Sequence, residues 1–232
     1  MLASCPTAVP AALSPLPSRG RSPWLATCHS RSQSGRWGHV VLAMKTGCYN
    51  FQTMGTVMTT KWKEPEALGW NRAEVSALAS DAVKELGFSP GQPIEPIVHQ
   101  LGGKIVYGEL IEDESDSGSI RIENGKFTIN IPFNTSPLRD RFTIAHEIGH
   151  FVLHYLVQNK MNKKNITHLR AQRYGKDQPE IEANWFAAAF LMPSDTFRRV
   201  YQELGKDTLK VAEYFKVSPS AASVRAQSLG LS

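Results

Sequence analysis

The sequence predicts an α+β domain in which helices pack around one small mixed or antiparallel sheet. Three strand-like runs lie close together between residues 104 and 132, and two of them are joined by Asn124-Gly125, the strongest short signal for a β-hairpin. Helical segments with recognisable start and stop signals lie on both sides of these runs. A helical pair at the C-terminal end completes the predicted domain.

Helix-capping residues and the alternation of apolar and polar residues predict the elements before and within the sheet. A first helix is predicted over residues 71–86, because Asn71 and Glu74 have the spacing of a capping box. A second, short helix is predicted over residues 94–101, where two glycines follow. Strands are then predicted over residues 104–110, 118–123 and 126–132.

After the sheet, a long helix is predicted over residues 136–157, which are mostly apolar. The polar, punctuated residues 158–178 are interpreted as a loop. A helix over residues 180–191 is stopped by a proline, and a further helix is predicted over residues 194–204.

Residues 206–232 resemble a helix-turn-helix, because Ser218 followed by Pro219 opens a second short helix after a turn. The basic excess of this pair is only two charges, so a strongly basic recognition helix is absent and DNA contact is the weaker interpretation. The alternative is a cap that completes the core through its apolar side chains, which are Leu209, Val211, Ala212, Phe215, Val217, Val224 and Leu229.

Residues 1–57 differ from the rest of the chain in composition. They contain five basic and no acidic residues, whereas residues 58–232 carry 21 of each, so the net charge of +5 arises in the first segment. Three interpretations are open: a disordered tail, an organelle-targeting leader, or sequence upstream of a true start at Met54 or Met58. The last is favoured because ordinary globular sequence begins at Met58, so residues 1–57 are expected to be dispensable and the main domain to cover residues 58–205.

All three cysteines also lie in residues 1–57. A domain without disulfides fits a reducing compartment, and the lack of any run of 18 apolar residues predicts no membrane span. A metal site in residues 58–232 must therefore use histidine and carboxylate ligands.

The most informative motif is His146-Glu147-Ile148-Gly149-His150, inside the predicted long helix. Residues four apart on a helix lie one above the other, so both imidazoles can reach one small cation. Glu147 borders the same face, where it can take a proton from an attacking water. The motif therefore predicts a metal site with a general base beside it.

The surroundings of this motif are apolar from Phe142 to Val157, which predicts a buried helix. A bound dication would satisfy two buried imidazoles and a carboxylate together. The alternative, core residues that hydrogen-bond to backbone, is disfavoured because buried glutamate is rare without a partner. Gly149 costs about 1 kcal/mol relative to alanine in a helix, so another segment is expected to approach it closely.

A hydrolytic zinc site needs a third protein ligand, and the helix after the predicted loop offers Glu180 and Glu182. These two lie about 200° apart around a helix, so they cannot both face the metal. Glu180 is favoured because Asn184 lies one turn away and can support it. Glu182 is interpreted as a solvated acid in the first helical turn.

Two segments, RFTIAHEIGHFVLH at residues 141–154 and EIEANWFAAAFLMP at residues 180–193, resemble the ImmA/IrrE family of metallopeptidases. The similarity covers about residues 68–232. It implies a zincin-like fold, a cytoplasmic location and a zinc-dependent endopeptidase, with Zn²⁺ held by His146, His150 and Glu180 and with Glu147 as the base. It also implies a protein substrate, a helix-turn-helix repressor of the xenobiotic-response-element type, whose cleavage switches on mobile-element or stress genes.

Two other functions stay open at this point. One is a non-catalytic, zinc-containing regulator that binds a repressor or DNA, and the other is a toxin–antitoxin component that recognises its repressor without cutting it. An intact Glu147 favours the enzyme. If the chain is a peptidase, the hairpin before the metal helix is expected to pair with an extended substrate by strand addition.

Overall fold

The computed structural model describes residues 40, 44, 61–108, 119–172 and 177–231. Most of residues 1–57, and residues 109, 110 and 118 of the predicted strands, lie outside the described part. Within the first segment, Val40 and Met44 are helical and have no solvent exposure. The prediction that the whole segment is dispensable stays untested, although the burial of these two side chains argues against it.

The two helices before the sheet form as predicted: α1 covers Arg72–Leu86 and α2 covers Glu95–Gln100. The capping box at the start of α1 is complete, because the Asn71 side chain accepts from the Glu74 amide and the Glu74 carboxylate accepts from the Asn71 amide. Gly87 ends α1 in the left-handed conformation, with φ 64°.

In the described part of the chain, the sheet has four strands: β1 (Gly103–Gly108), β2 (Ser119–Glu123), β3 (Lys126–Pro132) and β4 (His168–Gln172). Their order across the sheet is β1-β3-β2-β4. The β1–β3 pair is parallel, while β2 runs antiparallel to both β3 and β4. The predicted α+β fold with a small mixed sheet is confirmed.

Strand β4 lies inside residues 158–178, so the prediction of an unbroken loop there is wrong. Leu169 and Ala171 are buried in the core, whereas His168 and Arg170 alternate with them and are only half-buried. Two buried positions in a polar stretch are too few to stand out as a period-two pattern. The strand is specified mainly by its pairing with β2.

The β2–β3 hairpin is also not an edge, which corrects the expectation that a substrate pairs with it. Both of its strands have a neighbour on each side. Among the described residues, β1 and β4 are the outer strands, and β4 is bridged further by Lys63, whose amide donates to the His168 carbonyl at 3.1 Å. Strand β1 is therefore the open edge of the described sheet.

The predicted long helix is continuous but changes its winding. It consists of α3 (Pro137–Gly149), a π-helical segment π1 (His150–Val157) and a last turn α4 (Gln158–Lys160). Every residue of π1 is buried. The prediction of one regular α-helix is therefore wrong in its second half, and π-helical segments within helices are frequent at functional sites.

Helix α5 (Gln178–Leu191) follows β4 and packs against both α1 and α3, and α6 (Ser194–Glu203) comes next. Because α3 and π1 are covered by the sheet and by α5, their polar residues lie inside the domain. Among the described residues, no helix combines the length and the apolar character needed to cross a membrane.

The C-terminal pair consists of α7 (Thr208–Phe215) and α8 (Pro219–Ser228), as the helix-turn-helix-like pattern predicted. The buried Arg225 side chain fastens α8 to the domain: Nε donates to the Met192 carbonyl at 3.0 Å, and a terminal nitrogen donates to Ser194 Oγ at 3.1 Å. Leu209 and Val224 were expected in the core but are 67% and 63% exposed.

Candidate metal centre

The predicted ligands come from three elements of the helical layer. His146 lies on α3, His150 begins π1, and Glu180 lies in the first turn of α5. The helices can approach because Gly149 has no side chain: a Cβ there would lie 3.2 Å from the Ala183 carbonyl oxygen. The close approach that the sequence predicted at this glycine is confirmed.

The three side chains meet in a buried cluster. His146 Nε2 lies 3.1 Å from one Glu180 oxygen, and His150 Nε2 lies 3.0 Å from the other. The two Nε2 atoms are 3.1 Å apart. Ligands at about 2.0–2.1 Å from a tetrahedral zinc ion lie about 3.3 Å from one another, so these spacings are close to those of a zinc site.

His146 is oriented by α5. Its Nδ1 lies 3.0 Å from Asn184 Oδ1. Because an amide oxygen only accepts hydrogen bonds, Nδ1 carries a proton and, in neutral His146, Nε2 has a free lone pair. Asn184 therefore supports the histidine, which corrects the prediction that it supports Glu180.

His150 is oriented by a second histidine and a second carboxylate. Its Nδ1 lies 3.0 Å from His154 Nδ1, and His154 Nε2 lies 3.1 Å from a Glu182 oxygen. The Glu182 carboxylate also accepts from the amides of Leu68 and Gly69, each at 2.9 Å. We call this series of hydrogen bonds, from Leu68 and Gly69 through Glu182 and His154 to His150, the Glu182 relay.

Glu182 has no solvent exposure, so its interpretation as a solvated first-turn acid is wrong. The prediction that Glu180 and Glu182 face different ways is confirmed, because they contact different histidines. A signal for the relay is present in the sequence, because His154 extends the four-residue spacing of the two predicted ligands.

The relay fixes where the protons lie. Hydrogen bonds from His154 and the two backbone amides outweigh the effect of burial and lower the pKa of Glu182, so it is ionised and can only accept. Burial lowers the pKa of His154 to about 4 and also lowers the pKa of His150, so both are neutral at neutral pH. His154 therefore donates to Glu182 and accepts from His150, and His150 Nε2 is left with a lone pair.

Two imidazole lone pairs and a carboxylate thus point at the same small volume. Protons on the Nε2 atoms could relieve the repulsion, but burial opposes a charged His150. One metal ion satisfies all three groups, so the residues present fit a bound cation.

Glu147, the predicted base, lies between the two histidines in sequence and is 1% exposed. The fold therefore keeps this carboxylate in the buried layer, on the same helix as the two histidines. A buried carboxylate is rare unless it has a partner or a chemical role.

No similarity to a curated protein was found. Among solved structures, a Mycobacterium tuberculosis transcriptional regulator is similar to this chain, with a TM-score of 0.50 and 18% sequence identity. The match covers 67% of this chain and 46% of that protein, so the chain spans about half of its length. At this identity the likeness concerns the fold alone.

The model of the IrrE N-terminal-like domain, Peptidase M78, matches residues 106–227. This range is more than half of the chain, and it includes both motif segments and all three residues of the buried cluster. The chain therefore belongs to the Peptidase M78 family of IrrE N-terminal-like domains.

Proposed function

We propose that the chain is a zinc-dependent endopeptidase of the ImmA/IrrE type that acts in the cytoplasm and cleaves a helix-turn-helix repressor. The observation that carries the proposal is the buried cluster of His146, His150 and Glu180 beside Glu147. Two histidines and one glutamate are a ligand set that hydrolytic zinc sites use, leaving a position open for chemistry.

The protein's own groups would divide the work. When bound, zinc supplies Lewis-acid chemistry, which polarises the scissile carbonyl and makes water more acidic. Glu147 would take the proton of the attacking water and pass it to the departing amine. Asn184 and the Glu182 relay hold the ligating histidines in one tautomer and one orientation.

The open edge strand β1 suits an extended peptide. Val106 and Tyr107 are 43% and 47% exposed on this strand, and among the described residues its outer side has no strand neighbour. A substrate backbone could add to it as a further strand, because edge strands present unpaired N–H and C=O groups.

The test is cleavage by the Glu147→Gln variant. Glutamine is nearly isosteric with glutamate but cannot accept the water's proton, so we expect a loss of about 10²–10⁴-fold in cleavage rate with unchanged zinc content. Each protein is mixed with candidate helix-turn-helix repressors, including any that is encoded beside its gene, and intact repressor is followed on a gel. Glu203→Gln, at an exposed position on α6, is the matched control.

Three outcomes are informative. Cleavage by wild type and Glu203→Gln but not by Glu147→Gln supports the proposal. Equal cleavage by Glu147→Gln refutes the assigned base. Zinc-loaded wild-type protein that binds the repressor without cutting it supports a binding-only regulator or a toxin–antitoxin component instead.

A further inference from the structure

A cavity of about 720 Å³ lies between α3, α5 and α8. Its wall includes Asn184, whose side chain contacts His146, and Ile181, the neighbour of Glu180 in sequence, so the cavity lies one residue away from the metal ligands. Most of the other lining side chains are apolar, among them Leu138, Phe142, Ile181, Trp185, Met192 and Val224. We call this cavity the α8 groove.

Apolar side chains stay accessible in the α8 groove. Val224 is 63% exposed and Leu138 is 39% exposed, while Phe142 and Trp185 are half-buried. A helix that served only to cap the core would turn Val224 inward. A concave apolar surface with a few polar groups beside a reactive centre has the character of a ligand site.

The charges around the α8 groove all have one sign. Its charged lining residues are Arg72, Arg139 and Arg225, and none of the described residues that line it is acidic. The Arg72 guanidinium lies 5.4 Å from the centre of the Trp185 ring, where a cation–π contact holds it over the aromatic wall. The groove is therefore both apolar and positive.

Arg225 is the clearest sign of an absent partner. It is 3% exposed, and its hydrogen bonds go to a carbonyl and a hydroxyl, both neutral. Burial, followed by the charges of Arg72 and Arg198, lowers the pKa of Arg225 to about 10, and among the described residues no carboxylate offsets this effect. A buried cation without a counter-ion is costly, so an anionic group is expected to complete it.

We propose that the α8 groove binds an acidic, amphipathic segment of the protein substrate, with its apolar side chains on Leu138 and Val224 and its carboxylates facing the arginines. This inference rests on the proposed function, because the bound segment belongs to the protein that is cut. A substrate seated there lies against Asn184, the residue that contacts the ligand His146. Leu138, Arg139 and Val224 then determine which proteins are accepted.

A peptide fits the α8 groove better than nucleic acid does. Protein–DNA contacts are made mostly to phosphates by exposed basic and polar groups. Here the most buried arginine lies at the wall of an apolar cavity, and Leu138 and Val224 would have to pack against a hydrated backbone. A peptide helix or strand that carries both apolar and acidic side chains can contact the apolar wall and the arginines of the α8 groove at once.

The experiment measures binding by the full chain in the Glu147→Gln background, which prevents cleavage. The probes are fluorescein-labelled 14-residue peptides that share one pattern of leucines at positions i, i+3, i+4 and i+7, with either glutamate or lysine elsewhere. A third peptide keeps the glutamates and has serine for leucine, and a 20-base-pair DNA duplex is the fourth probe. We expect the leucine–glutamate peptide to bind at least about tenfold more tightly than the others.

Two substitutions test the location. Arg139→Glu and Val224→Asp place negative charge in the α8 groove at exposed positions, so both variants should fold. Each should weaken the binding of the acidic peptide by about tenfold. The matched controls are Leu209→Asp, at a 67% exposed position on α7, and Lys84→Glu on α1. Neither residue lines the groove, so neither variant should change binding.

The outcomes separate this inference from the peptidase assignment. Acidic-peptide binding that both groove substitutions weaken supports the inference, even if wild type cuts no repressor. Equal binding of all peptides, equal effects of the groove and control substitutions, or DNA binding that the groove substitutions weaken would overturn it. The inference would also be overturned if the Arg139→Glu variant and the Val224→Asp variant each cleaved a repressor with wild-type KM and kcat. In that case the peptidase assignment would stand.

Discussion

Replacing Glu182 by glutamine tests whether the Glu182 relay sets the metal affinity. The carboxylate accepts three hydrogen bonds, from His154 and from the amides of Leu68 and Gly69. Glutamine keeps the size of the side chain but replaces one acceptor oxygen with an NH₂ group. At least one of the three donors must then face another donor.

The cost of this change has two parts. A hydrogen bond to a charged group contributes about 1.5–3 kcal/mol, and a buried unpaired donor adds a further penalty, so we expect a loss of about 3 kcal/mol in the free energy of unfolding. In a domain of this size that lowers Tm by about 6–12 °C. If the new NH₂ faces His154, that ring must reverse its tautomer and can no longer accept from His150, so zinc affinity falls by about 10–100-fold.

Two assays separate these parts. Thermal unfolding in chelator reports the metal-free fold, and competition with a zinc chelator reports affinity. Glu180→Gln is the contrasting variant: we expect it to lower affinity by orders of magnitude without lowering metal-free stability, because it removes a charge that faces two lone pairs. Glu203→Gln, whose carboxylate forms an exposed pair with Arg199, should change neither quantity. If the Glu182→Gln variant has wild-type Tm and wild-type zinc affinity, the Glu182 relay does not set the metal affinity.

Three further outcomes follow from the same contacts. Metal analysis should find about one zinc per chain, and the His146→Ala, His150→Ala double variant should have lost it; equal zinc in both proteins would contradict the assigned ligands. Gly149→Ala places a methyl group 3.2 Å from the Ala183 carbonyl oxygen. The overpacking should cost about 1–3 kcal/mol and exceed the gain of about 1 kcal/mol in helix propensity, so Tm should fall. A raised Tm would show that α5 moves away to make room for the methyl group. A chain starting at Met58 lacks two fully buried side chains, each worth about 1.5–3 kcal/mol, so it should unfold at a lower temperature; an unchanged Tm would show that residues 1–57 are dispensable.

Helical periodicity carried much of the sequence prediction. The spacing of His146 and His150 placed two imidazoles on one side of a helix, and the 200° separation on α5 predicted that Glu180 and Glu182 cannot both face the metal. Local signals were equally informative, because the capping box at Asn71 and the hairpin at Asn124-Gly125 depend on residues close in sequence. Each of these features depends only on residues within one short segment of the chain.

The features that the sequence did not reveal depend on distant segments. The amides that bind Glu182 lie 113 and 114 residues before it, so nothing near Glu182 distinguishes it from an exposed acid. Strand β4 exists through its pairing with β2, and the α8 groove exists only once three helices have assembled. Val224 was assigned to the core because a short amphipathic helix shows that an apolar face exists but not what will cover it.

The Glu182 relay also explains why the metal centre and the fold depend on each other. His150 is held by π1, Glu182 by α5, and the relay ends on backbone amides that precede α1. The His150 side chain is therefore correctly oriented only when the segment at Leu68 has docked against α5. Metal binding then requires little rearrangement of the folded protein, and zinc adds stability in proportion to the logarithm of its free concentration over Kd. A substitution that loosens the contact at Leu68 should therefore weaken zinc binding without touching any ligand.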